Sequence, residues 1–413
     1  MNEPFPTLSL KERDRRWERT RNLMRVKDVA CLIVAGFRGR EQMESYLCND
    51  SAEGILIFPL HGEAVHLTST GTRITRHLES HLRGEVPWVD DLRVGSNGPA
   101  LVKVLTDKGL EKGRIGVVGL ESGAPGEKDG IFPYRTWAHV LENLPGASFI
   151  ELSGAFAEMM LVKSREELNL ARFCAGIGEK ACKKMLDLVR PGLNERELYA
   201  AIMEVIFTAG ATAPPPHLIL HSGKENLSWG PPTWTYQGGA ARTLEEGDLV
   251  LAEIFPRYGG IETQQQMAVH IRPVNRTMGE CARAARCAYE AGLSAIRPGI
   301  TFQEVCDSME KPVLDAGCWY LTPLMHSLSP MGWISKTGGV GIKPDSPMSW
   351  LTDKMRPRGM VGADLVLKTG MIFELEPNAC IGRQRVNIGG TVIVTEHGAE
   401  ELNKLSTEMH VIG

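Results

Sequence analysis

Arg190-Pro191-Gly192-Leu193-Asn194 opens a stretch that closes 20 residues on at Ala209-Gly210, and Arg297-Pro298-Gly299-Ile300-Thr301 opens one that closes at Ala316-Gly317. The two keep the same internal spacing at an offset of 107 residues, 190 to 297. Each follows a helical pattern, Ile177 to Val189 and Cys281 to Ile296, and each precedes a His-Ser pair, His221-Ser222 and His326-Ser327. Matching context on both sides points to a duplicated half-domain. Two helix-plus-strand halves related by a pseudo-twofold are expected, with a shared sheet and a cleft where they meet, and clefts are where small molecules bind. The strands expected there are 217–221, 248–254, 266–272, 371–377 and 391–395.

Upstream, Ser164-Arg165-Glu166-Glu167 is a capping box that starts a long helix with apolar positions Leu168, Ala171, Cys174 and Ala175 on one face. Before it, short apolar runs alternate with helical patterns, the signature of an α/β domain. Ser9 to Glu12 caps a first helix, and strands are expected at 30–34, 54–58, 64–68, 114–118 and 148–152, with helices near 100–108 and 134–144. Two domains follow: residues 1–158, α/β, and residues 159–413, a duplicated α+β domain.

The 413 residues are 43% hydrophobic and 23% charged, enough to bury a sizeable core and to exclude whole-chain disorder. With 46 Lys+Arg against 50 Asp+Glu, no single-sign field exists to attract nucleic acid or an anionic membrane. Val29 to Phe37 is the longest apolar run and is far too short to span a bilayer. The first residues lack a basic region followed by an apolar run, so a cytoplasmic address is expected. Nine cysteines without a C-x-x-C pair read as reduced core thiols. A small polar metabolite and a second copy of the chain are the expected partners.

Five segments carry a family resemblance: Leu161-Val162-Lys163-Ser164, Pro191-Gly192 with Asn194-Glu195, Gly247-Asp248-Leu249-Val250-Leu251, Gly370 to Pro377, and Thr391 to Thr395. Together they resemble the creatinase/aminopeptidase "pita-bread" superfamily (peptidase family M24-like), which includes Xaa-Pro peptidases, methionine aminopeptidases and creatinase. The resemblance covers the whole chain and implies a creatinase-like N-terminal α/β domain before a pita-bread domain. It also implies a homodimer, in which a neighbour's N-terminal domain completes the cleft.

In the peptidase members, two aspartates, a histidine and two glutamates hold two metal ions that activate a water. Carried over by position, the resemblance puts the first aspartate at Glu253 and the second, eleven residues on, at Gln264; His326 and Glu376 are kept, and the last glutamate falls on Gly389 or Gly390. A neutral amide is a weak ligand and glycine offers none, so no dinuclear site is expected. Glu253, His326 and Glu376 remain as the set for a single divalent ion, the alternative to no cofactor at all. Creatinase works without metal, through a histidine and glutamates; its catalytic histidine falls on Gly230, its hairpin glutamate on Gln266, and its substrate-binding arginine has no counterpart in 46–53.

His326 lies in an irregular Ser/Pro segment, 324–330, and a histidine's ordinary pKa of about 6.5 suits proton transfer at neutral pH. Glu374 and Glu376 alternate along one strand and share a face, where two carboxylates push one pKa upward; a solvated strand face is the competing reading. Glu253 ends the apolar run 249–252, and a carboxylate buried there needs partners. Glu262, Gln264 and Gln266 alternate on the returning strand and present three groups to a polar substrate. Trp333 stands where the peptidases carry a second histidine, and His221 is either a cleft group or a satisfied histidine at a strand end. The tract 343–369 reads equally as a lid or as a surface insertion.

The expected catalytic residues are thus His326, Glu376 and Glu253, with Glu262, Gln264, Gln266, Trp333, Glu374 and His221 binding substrate. The expected function is metal-independent, creatinase-like cleavage of a C–N or related bond by His/Glu acid-base chemistry. An Xaa-Pro peptidase-like hydrolase with one metal is the second reading, and a catalytically dead binding module the third.

Overall fold

The computed structural model describes residues 5–36, 43–50, 54–121, 132–225 and 227–413. Of the stretch 46–53, residues 51–53 lie outside these, as does Phe37. The chain divides into two compact units, Thr7–Leu161 and Val162–Gly413, the latter joined by Phe5 and Pro6. The expected boundary at 158 falls inside the helix that closes the first unit.

The first unit runs α1 (Leu10–Lys27), β1 (Cys31–Ala35), α2 (Ser45–Cys48), β2 (Gly54–Pro59), β3 (Val65–Thr68), α3 (Gly71–Leu82), β4 (Asp91–Val94), α4 (Gly98–Asp107), β5 (Arg114–Val118), α5 (Tyr134–Asn143), β6 (Ser148–Glu151) and α6 (Ser153–Leu161). Among the described residues its sheet has six strands in the order β4-β3-β2-β1-β5-β6. Every residue of β1 is buried, as suits a central strand covered on both faces. Leu101, Val104 and Leu105 of α4 and Val140 of α5 pack onto Ile33, Ile57, Ile115 and Val117. α3 has no buried residue, although Ile74, Leu78 and Leu82 repeat every four residues along it.

The second unit contains α7 (Arg165–Leu188), α8 (Glu195–Thr208), β7 (Leu218–Gly223), β8 (Leu249–Ile254), β9 (Arg257–Tyr258), β10 (Ile261–Glu262), β11 (Gln265–Ile271), α9 (Arg276–Ala295), α10 (Phe302–Asp315), β12 (Met325–Ser327), α11 (Ser349–Lys354), β13 (Ile372–Leu375), β14 (Asn378–Ile381), β15 (Gln384–Asn387), β16 (Gly389–Thr395), β17 (Gly398–Glu401) and β18 (Met409–Ile412). The duplication is visible residue by residue. α8 and α10 begin and end 107 residues apart, at 195 and 302 and at 208 and 315. The preceding helices both end on an extended residue, Val189 at φ −61°, ψ 121° and Ile296 at φ −63°, ψ 120°. Gly192 and Gly299 then take φ of 85° and 89°, a left-handed turn that glycine enters without a Cβ penalty. The capping box Ser164/Glu167 forms at the start of α7, and Asn194 and Thr301, 107 residues apart, cap α8 and α10.

The shared sheet runs β12-β13-β16-β11-β8-β7, with β17 on β16 and β18 on β11. Each half contributes three strands counted inward from its own edge, and the halves meet where β11 pairs with β16, Gln265 opposite Gly390 and Gln266 opposite Gly389. Leu218, Leu220, Val250, Ala252, Ile254, Met267 and Val269 face α7 and α8 in the core. In the second half Phe373 meets Phe302 of α10, with ring centroids 5.9 Å apart. Because strand side chains alternate, Glu253, Gln266, Glu374 and Glu376 are left on the opposite face.

In the tract 343–369, Met348 and Leu351 pack with Trp319 and Cys380, and bridges join Thr337 to Arg358 and Ile334 to Val361. All nine cysteines are free, and Cys287 alone is exposed. Among the described residues, no helix is long and apolar enough to cross a membrane.

Candidate functional site

The face turned away from the helices carries a polar network in a place where the strands are otherwise apolar. Glu253, the fifth residue of β8, is buried because β7 and β11 flank it, with Ile219 and Gln266 as its cross-strand neighbours. Its Oε1 accepts from Asn387 Nδ2 at 3.0 Å and from Trp229 Nε1 at 3.1 Å. Gln266 Nε2 donates to Glu376 Oε2 at 3.0 Å, and the other oxygen of Glu376 stands 3.3 Å from His326 Nε2. His326 Nδ1 is 2.9 Å from the Ser327 carbonyl, so that nitrogen carries a proton and Nε2 presents its lone pair or a second proton to Glu376. Of these six side chains five are buried, and Trp229 is exposed.

A second chain of contacts lies beside the first. Gln264 Nε2 donates to Glu262 Oε1 at 2.8 Å, and Arg257 Nη2 donates to Glu262 Oε2 at 3.2 Å. The Gln264 backbone N–H donates to Thr391 Oγ1 at 2.7 Å, and Thr391 Oγ1 lies 3.0 Å from both the Gln264 carbonyl and Glu374 Oε2. Glu374 sits opposite both His326 and Thr391 in the strand register and is fully buried. Burial, then the Glu376 charge, then those of Glu253 and Glu262 push its pKa well above the carboxylate range, against the Thr391 hydroxyl that favours the anion. The paired-carboxylate expectation therefore falls on Glu374, the fully buried member. A neutral Glu374 also completes the hydrogen bonds: its acid proton goes to Thr391 Oγ1 and the threonine proton goes to the Gln264 carbonyl.

The sign of the linkage follows. With a folded pKa above the unfolded one, Glu374 contributes stability that is fully present below about pH 4.3 and is lost as pH rises through the folded value. Glu374→Gln, an isostere of the neutral acid, is expected to melt progressively higher than the wild type as pH increases above that point. Parallel melting curves across the pH range would show that Glu374 is ionised in the fold.

Three buried acceptor oxygens in and beside this network, Gln266 Oε1, Asn387 Oδ1 and Glu374 Oε1, have no hydrogen-bond donor among the described residues. Arg385, two residues before Asn387 on β15, is 1% exposed; its Nη2 donates to the Ser228 carbonyl at 2.8 Å, while Nε and Nη1 have no acceptor. Asn387 is itself one of the two donors to Glu253 and Ser228 adjoins the other, Trp229, so a guanidinium with unused donors at Nε and Nη1 is tied to the segments that bond Glu253.

Sequence reasoning named most of this network, and it missed Asn387, Trp229, Thr391 and Arg385. Two of the residues it named lie outside this network. Trp333 does not join the network: its ring packs against Gly362, and its backbone N–H donates to Ser327 Oγ at 3.2 Å. His221 is a half-buried strand-end histidine whose Nε2 meets the Gly230 carbonyl at 2.7 Å. Burial lowers its pKa, with that carbonyl opposing, so the ring is neutral and donates there.

The chain matches the profile of metallopeptidase family M24 over residues 169–396, more than half its length, and it belongs to that family. It is 23% identical over 285 residues to an Xaa-Pro dipeptidase of Pyrococcus furiosus, covering 68% of this chain and 74% of that one. It is 26% identical over 257 residues to a probable dipeptidase of Mycobacterium tuberculosis, spanning 62% of this chain and 61% of the relative. The solved Xaa-Pro dipeptidase from Bacillus anthracis superposes with a TM-score of 0.72 at 19% identity, over 97% of this chain and 100% of that one, which establishes the pita-bread fold.

The metal pair implied by that family does not fit these residues. Gln264 is neutral and already bonded to Glu262. At Gly389 any Cβ would overlap the Leu375 carbonyl oxygen and lie 2.8 Å from Glu376 Cα, so the backbone excludes a side chain where the resemblance places a ligand. The single-ion set fares no better: the ligand atoms of Glu253, His326 and Glu376 do not all lie within 4.8 Å of one another.

Proposed function

We propose that this face hydrolyses a C–N bond in a small polar metabolite by acid-base chemistry without a bound metal. The observation that carries the reading is the buried His326–Glu376 pair, one imidazole nitrogen fixed by a backbone carbonyl and the other facing a carboxylate at 3.3 Å. In the forward step His326 Nε2 takes a proton from water as its oxygen bonds to the substrate carbon, and the Glu376 carboxylate stabilises the imidazolium. The C–N bond then breaks and His326 returns that proton to the leaving nitrogen. Glu253, Gln264 and Gln266 orient the substrate. Acceptors without a donor, together with the Arg385 Nε and Nη1 donors that lack an acceptor, suit a molecule with several N–H groups and a carboxylate, such as an amidino, ureido or N-substituted amino acid, because each buried polar atom left unpaired costs about 1–3 kcal/mol.

A second reading is supported by the relatives, which are Xaa-Pro dipeptidases: cleavage of an Xaa-Pro peptide bond with metal assistance. The discriminating assay offers chelator-treated protein both substrate classes. Turnover of an amidino, ureido or N-substituted amino acid, unchanged by excess chelator, is expected. Turnover confined to Xaa-Pro dipeptides, and only after a divalent metal is added, would replace the first reading by the second. Tight binding of either class without turnover would establish a binding module. A homodimer is part of the proposal, resting on the family resemblance, and a monomer in sedimentation at micromolar concentration would remove it.

A further inference from the structure

The first unit contains a group of side chains that the proposed chemistry does not use. His77 and His81 lie four residues apart on α3 and so stack one turn above the other on a single helix face. Their rings are edge-on with centroids 4.8 Å apart. Asp90, immediately before β4, turns its carboxylate toward both: Oδ1 is 2.9 Å from His81 Nε2 and 3.7 Å from His77 Nε2, and the Asp90 carbonyl oxygen is 3.2 Å from His77 Nε2. Among the described residues this is the one group of three His, Cys, Asp or Glu ligand atoms that all lie within 4.8 Å of one another.

We propose that His77, His81 and Asp90 bind a first-row divalent transition-metal ion of the zinc or cobalt type. Two imidazoles at i and i+4 with one carboxylate is a donor set that suits such an ion. Ligand atoms held about 2.0–2.1 Å from a tetrahedral ion stand roughly 3.3 Å from one another, and the observed 2.9 Å and 3.7 Å bracket that spacing. The Asp90 carboxylate is within hydrogen-bond distance of His81 Nε2 and stands 3.7 Å from His77 Nε2, and an ion between the three would bring both imidazoles and the carboxylate onto one centre. The bound ion ties α3, a helix without a buried residue, to the segment that enters β4. The site is local to the first unit and independent of the His326–Glu376 chemistry.

The test is a zinc titration of chelator-treated, tag-free full-length protein in competition with a chromophoric chelator, with cobalt absorbance as a second readout. One equivalent per chain is expected, with a rise in the thermal midpoint on loading. His77→Ala and His81→Ala are each expected to weaken binding at least tenfold and to abolish the rise, with an unchanged fold by circular dichroism because neither ring is in the core. Absence of binding to the wild type, or binding of equal strength in both variants, would overturn the assignment.

Discussion

Gly389→Glu, which restores a carboxylate where the resemblance places a metal ligand, is expected to cost the protein much of its stability and to gain it no metal. The reason is the local backbone. β16 passes so close to β13 at this point that a Cβ on residue 389 overlaps the Leu375 carbonyl oxygen, 2.8 Å from Glu376 Cα and 2.9 Å from Gln266 Cγ. Two of these neighbours are backbone atoms, so relief requires a strand to move, and overpacking of that kind costs about 1–3 kcal/mol. The added carboxylate then lies buried near Glu374, Glu376 and Glu253 with no cation assigned to it, and an uncompensated buried charge costs about 3–5 kcal/mol. A melting-temperature drop of roughly 6 °C or more is expected for a unit of this size. Gly389→Ala isolates the steric part and should show the smaller share of the loss. Melting curves of the two variants check this; a Gly389→Glu protein as stable as the wild type that binds manganese or cobalt would mean that β16 yields and the family's site can be rebuilt.

The second large effect concerns turnover. His326→Ala removes the group that moves the proton, and a loss of about 10²–10⁴-fold in kcat with little change in KM is expected. Glu376→Gln keeps the shape and is equally informative. Its carbonyl oxygen must face the Gln266 N–H, which leaves its amide N–H₂ pointing at His326 Nε2. The imidazole lone pair is then occupied and the charge that stabilises the imidazolium is gone, so kcat falls while the fold is retained. Steady-state kinetics on the substrate found by the paired assay provide the check. Full turnover in both variants would remove His326 and Glu376 from the chemistry.

The duplication was legible because turn chemistry is local: the Arg-Pro-Gly turns need a glycine at positive φ, and Gly192 and Gly299 both supply it. The face shared by Glu374 and Glu376 followed from strand alternation alone, whereas Glu262, Gln264 and Gln266 do not share one strand: β10 ends at Glu262, β11 begins at Gln265, and Gln264 lies between them bonded to Glu262. What escaped was whatever depended on a neighbour distant in sequence. Asn387 and Arg385 sit on β15, half of a hairpin with β14. Its signal was present in Ile381-Gly382-Arg383-Gln384, where Gly382 at φ 57° begins a two-residue turn between β14 and β15. Nothing local shows that the Trp229 indole reaches Glu253. Trp333 was placed by position in a family pattern, but the Gly362 backbone offers its ring a flat surface and takes it away from the network. α3 escaped although its signal, Ile74, Leu78 and Leu82 at four-residue spacing, is present in the sequence.

The central claim is that the His326–Glu376 face works without an ion, and metal content tests it most directly once the His77/His81 group is taken out of play. Protein carrying both His77→Ala and His81→Ala, prepared without a tag or chelator, would be analysed for manganese, cobalt, nickel and zinc by plasma mass spectrometry. No metal above trace is the predicted result. One or two equivalents per chain, lost when Glu376→Gln is added, would contradict the account and place a metal on the very residues assigned here to acid-base catalysis.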